Sequence, residues 1–87
     1  MYLNDKEFHR VRWHSRRGML ELDLVLGPFV DKHLRNLDEE DQRRYVYLLT
    51  SEDQDLFRWF LSAEKPEDEE KAKIVALILK LHHERAE

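Results

Sequence analysis

Apolar residues recur at intervals of three and four along nearly the whole chain, the spacing that gathers them on one side of an α-helix. Two glycines, two prolines and few β-branched clusters supply little of what hairpins need, so the pattern predicts an all-α fold. Asn4 stands where it can cap a first helix over residues 5–16, with Phe8, Val11 and Ser15 facing inward and Arg10 and Arg16 facing water. A second helix runs from about Met19 to Asn36, and its broad apolar stripe of Leu22, Val25, Leu26, Phe29, Val30 and Leu34, continued by Leu37, marks it as the core helix. Gly27-Pro28 interrupts that stripe and predicts a kink or a restart, because proline lacks a backbone donor and clashes with the preceding turn. Asp38 is expected to cap a third helix that ends near Thr50, with Glu39, Glu40 and Asp41 in its first turn and Tyr45, Leu48 and Leu49 inside. Asp53 is expected to cap a short fourth helix carrying Leu56, Phe57, Trp59 and Phe60. The fifth opens at Lys65-Pro66, with Glu67 to Glu70 in its first turn and Ile74, Val75, Ile78, Leu79 and His82 following. The expected architecture is a single small five-helix bundle over residues 1–87.

Size narrows the function. A chain of 87 residues holds one small core and has no room for a separate catalytic domain. Charged residues make up 39% and hydrophobic residues 41%, too apolar and too periodic for a disordered chain. The absence of cysteine excludes disulfides, thiolate metal sites and a cysteine nucleophile, and it suits a reducing compartment. Met1 to Glu7 lacks an apolar signal core, and no run approaches the roughly 18 apolar residues of a membrane span, so a cytoplasmic protein without membrane insertion is expected.

Charge is divided unevenly. Residues 1–20 carry five Lys/Arg against Asp5 and Glu7, whereas residues 21–87 carry ten against seventeen acids, within a net charge of −4. Gly18 lies at the division, between Arg16-Arg17 and the start of the apolar helix, where a residue free to take positive φ makes a sharp joint. Two glycines nine positions apart build neither a phosphate loop nor a dinucleotide fingerprint. His9 and His14 diverge on a helix and His82 and His83 are adjacent, so no metal site is expected. Carboxylates are plentiful but have no nucleophile or cleft to serve, so no catalytic residues and no enzyme are expected. The basic stretch His9 to Arg17 encloses one tryptophan, and against the acidic remainder it fits a protein partner with an acidic or mixed rim better than nucleic acid. Glu21 has local explanations: with Gly18 as N-cap it completes a capping box, and it lies four positions from Arg17, a surface pair worth a few tenths of a kcal/mol. Local structure leaves unexplained why Arg12, Arg16 and Arg17 crowd around an uncovered glycine corner, an arrangement suited to docking another chain.

Arg17-Gly18-Met19-Leu20-Glu21 matches an Arg-Gly-x-x-Glu motif. Trp13 precedes it, Glu21-Leu22-Asp23 lies within and beyond it, and Pro28-Phe29 follows, as does Asp53-x-Asp55-Leu56-Phe57-x-Trp59 with Pro66. In these pieces and their order the chain resembles, over nearly its whole length, the SdhE family of succinate dehydrogenase assembly factors, also known in bacteria as CptB-type antitoxins. The resemblance implies a five-helix protein that binds the flavoprotein subunit of succinate dehydrogenase, and in some bacteria that of fumarate reductase. It also implies that this binding promotes covalent attachment of FAD to a histidine of the partner, with no flavin held stably by the factor itself. Together with the arginine cluster it assigns partner binding to Arg12, Arg16, Arg17, Gly18, Glu21 and Asp23. The antitoxin designation implies a different role, opposing a membrane-associated toxin that acts on cell-shape proteins.

Overall fold

The computed structural model describes residues 3–86. Five α-helices form where the spacing places them: α1 Asp5–His14, α2 Leu20–Lys32, α3 Glu39–Leu48, α4 Asp53–Leu61 and α5 Glu69–Ala86, with a short 3₁₀ turn Leu34–Asn36 after α2. Asn4 caps α1 by accepting the Glu7 amide at 2.8 Å, and Asp38 caps α3 by accepting the Asp41 amide at 2.8 Å, both as expected.

Two other starts differ from the sequence reading. Glu52, with no side-chain bond, is the N-cap of α4, and Asp53 is its first helical residue. Pro66 is buried ahead of α5 and does not begin it. Asp68 does the capping, accepting the amides of Glu70 at 2.8 Å and Lys71 at 3.1 Å. A capping carboxylate satisfies two orphan donors at once, which proline at a first helical position cannot do.

Helix α2 is the axis of the bundle and packs against α1, α4 and α5, while α3 lies along α5. Leu22, Leu26, Leu34, Leu48, Leu56, Ile74 and Ile78 are completely buried in one contiguous core. Of the kink or restart expected at Gly27-Pro28, the restart is absent, since α2 runs unbroken through both residues. Val25, Leu26, Phe29 and Val30 are buried on either side of them, and their packing offsets the roughly 3 kcal/mol that an interior proline costs. The Cα radius of gyration of 11.9 Å equals the roughly 12 Å expected of a fully compact chain of this length.

Two of the buried polar side chains, Ser15 and Gln42, are tied to the backbone. The Ser15 hydroxyl donates to the Val11 carbonyl at 2.8 Å, leaving its oxygen to accept from the buried Tyr45 hydroxyl at 2.7 Å. Gln42, also buried, donates to the Leu34 carbonyl at 3.0 Å and so joins α3 to the turn after α2.

At the outer edge of α3 the Tyr47 hydroxyl donates to Asp68 at 2.5 Å. This bond, with the Lys71 amide behind it, holds the Asp68 carboxyl below its ordinary range, and the same bond raises the Tyr47 hydroxyl. Because the folded-state value lies below the unfolded one, the stabilisation is present above the unfolded-state pKa and is lost as pH falls through the folded value. Tyr47→Phe is therefore expected to move the Asp68 titration, followed by carboxyl NMR, back upward. Its stability deficit at neutral pH should shrink in acid.

Candidate functional site

The corner between α1 and α2 is made by the local sequence. Ser15 ends α1, with its amide on the Val11 carbonyl at 3.0 Å, and the Arg16 amide reaches the Trp13 carbonyl at 3.1 Å. Gly18 then takes φ +77°, a conformation strained for any L side chain, and no atom lies within 4 Å of where its Cβ would stand. The corner is thus both a backbone necessity and an open space. Met19, extended, is the N-cap of α2, so Glu21 falls at the second helical position and the capping box is not formed.

The six residues singled out from sequence part company here. Arg16 and Glu21 are exposed, and Gly18 stands open between them in the chain. Arg12 is half exposed and reaches across to α2, its Nε 3.0 Å from Asp31 Oδ1. Asp23 is half-buried and accepts the Arg17 amide at 3.0 Å, closing the loop onto the first turn of α2. Arg17 turns inward: its side chain is 17% exposed, it donates to the Leu49 carbonyl at 2.5 Å, and it lies 3.6 Å from Asp53. The expected pairing of Arg17 with Glu21 is replaced by this one.

Between α1 and α2 runs a groove of about 600 Å³. Arg12, Trp13 and Arg16 line it from the α1 side, and Asp23, Gly27 and Asp31 from α2. No atom lies within 4 Å of a Cβ built on Gly27, so this glycine keeps the groove open without any packing demand. The groove carries both charges: a cation at Arg16 and carboxylates at Asp23 and Asp31 beside Arg12. Trp13, Leu20 and Leu24 are 69%, 68% and 58% exposed, three large apolar side chains turned to water around one corner. Leu20, Leu24, Gly27 and Asp31 recur at helical spacing on the side of α2 opposite the core stripe, so the first turns of α2 carry leucines on both sides.

Residues 9–82 match the family described as flavinator of succinate dehydrogenase. The chain belongs to that family. It is 50% identical over 76 residues to the FAD assembly factor SdhE of Pseudomonas aeruginosa, covering 87% of this chain and 90% of that protein. It is 48% identical over 77 residues to the protein of that name from Pseudomonas savastanoi pv. phaseolicola, covering 88% and 92%. The corresponding figures for Idiomarina loihiensis are 46% over 74 residues, 85% and 82%. The matched region contains the whole corner and groove, together with all six residues assigned from sequence.

The sequence reading missed Asp31, Gly27 and the Leu20–Leu24 ridge as parts of this face. The ridge had a signal, since leucines four apart on the polar side of an amphipathic helix break its pattern. The link from Arg17 to Asp53 had none, because it joins the connection before α2 to the start of α4, 36 positions further along the chain.

Proposed function

We propose that this chain is an assembly factor that docks on the flavoprotein subunit of succinate dehydrogenase and promotes covalent attachment of FAD to that subunit. The observation that carries the reading is the uncovered Gly18 corner, flanked by Arg16, Glu21 and the exposed Trp13, Leu20 and Leu24 in a chain of this family. In this reading FAD stays on the partner, and the factor acts by binding. A binding protein accelerates its partner's own chemistry when it holds the reactive conformation more tightly than the others, and only that difference in affinity counts. The apolar ridge supplies the buried area, and the groove supplies charges of both signs that fix the orientation of docking.

Deleting the gene is expected to remove the covalent flavin fluorescence of the succinate dehydrogenase flavoprotein in a denaturing gel of cells grown by respiration. The fumarate reductase flavoprotein is read in the same gel. Normal covalent flavin on the succinate dehydrogenase subunit in the deletion strain overturns the proposal. Restored growth against a co-expressed toxin, with flavin levels untouched, assigns the chain to the antitoxin role instead.

A further inference from the structure

We propose that Asp53, on α4, is a positioning residue for docking: with the Leu49 carbonyl it holds Arg17 as a strut that sets the direction of the Gly18 corner. The proposal rests on the reading that this corner meets the partner. Gly18 itself has no neighbour within 4 Å of its would-be Cβ, and on its far side Met19 is partly buried against the core. On its near side the corner is steadied by the preceding residue, gripped twice. The Arg17 amide is held by Asp23 at the start of α2, at 3.0 Å. Its guanidinium is held at the other end by the end of α3 and the start of α4, through the Leu49 carbonyl at 2.5 Å and Asp53 at 3.6 Å.

The grip needs an acid at Asp53. A guanidinium with a 17% exposed side chain is largely withdrawn from water, and its Nε is buried without a partner, so a single carbonyl is poor compensation for the charge. Removing the carboxylate leaves Arg17 an incentive to swing out to solvent. Once it does, the residue next to the left-handed glycine is tethered only by its amide, and the docking surface loses its preset shape.

Three variants decide it: Asp53→Asn, Asp53→Glu, and Asp55→Asn as a control in the same helical turn that pairs with Arg58 and does not touch Arg17. Amide hydrogen exchange is read at Arg16 and Arg17, and affinity is read with the purified flavoprotein subunit carrying unattached FAD. Asp53→Asn is expected to speed exchange at Arg17 and weaken binding by about fivefold, the consequence of a surface ordered only on contact. Asp53→Glu should restore most of both, and Asp55→Asn should change neither. Unchanged exchange with Asp53→Asn overturns the strut. Weakened binding without faster exchange also overturns it, because Asp53 then touches the partner itself. If the wild-type chain fails to bind the flavoprotein, the docking reading falls and this role in docking falls with it, while the exchange arm still decides whether Asp53 holds the corner.

Discussion

Gly18→Arg is expected to weaken binding to the flavoprotein subunit by more than about tenfold while leaving the helices in place, a loss of at least roughly 1.4 kcal/mol of docking energy. The two halves of that expectation have separate causes. At φ +77° any side chain pays the left-handed penalty, roughly 1–2 kcal/mol, which for a chain of this size lowers the melting temperature by several degrees. The new Cβ meets no atom of its own chain, so no core contact is disturbed and the helical circular dichroism should persist. The arginine instead projects from the corner into the space a partner backbone needs. Gly18→Ala separates the causes, since it carries the same backbone penalty with little bulk. If alanine binds like wild type and arginine does not, the corner works by close approach. If both weaken binding equally, backbone direction matters and bulk does not. Normal binding by Gly18→Arg, measured by titration calorimetry at a temperature where both chains are folded, removes the corner from the interface.

The corner was readable from the sequence because its determinants are local: a rare glycine, a helix end before it and an apolar helix after it. The helices themselves were readable for the same reason, and so were the caps at Asn4 and Asp38. Errors arose where two neighbouring residues competed for one local role. Asp53 lost to Glu52 at the start of α4, and Pro66 lost to Asp68 at the start of α5. At Gly27-Pro28 the helix does not restart, because the burial that keeps α2 continuous comes from helices elsewhere in the chain.

Arg17 shows the limit most clearly. Beside an exposed glycine, an arginine reads as a free cation, and its local alternative was Glu21. Its actual partners are Leu49, just after α3, and Asp53, the first residue of α4, and the packing of α2 against α4 brings them within reach. A residue that reads as part of the docking face is therefore also part of what shapes it. Arg16, its neighbour, is exposed and lines the groove.

Two leucines on one helix should separate folding from docking by a wide margin. Leu26 is completely buried and Leu24 is 58% exposed, although they stand two residues apart on α2. Leu26→Ala removes a side chain from the central helix and leaves a cavity that its neighbours fill only in part, costing about 2–5 kcal/mol. A domain this small is marginally stable, so the melting temperature is expected to fall by more than about 10 °C. Leu24→Ala exchanges an exposed leucine for the better helix former, and its stability should stay within about 0.5 kcal/mol of wild type. The order reverses in binding. At a temperature where both variants are folded, Leu26→Ala should hold the flavoprotein subunit almost as wild type does, since its side chain never reaches the surface. Leu24→Ala should bind about tenfold more weakly, the cost of removing an apolar side chain that a partner covers. Equal binding by Leu24→Ala and wild type would mean that the outward ridge of α2 stays in water. In that case docking must rest on the corner and the charged groove alone.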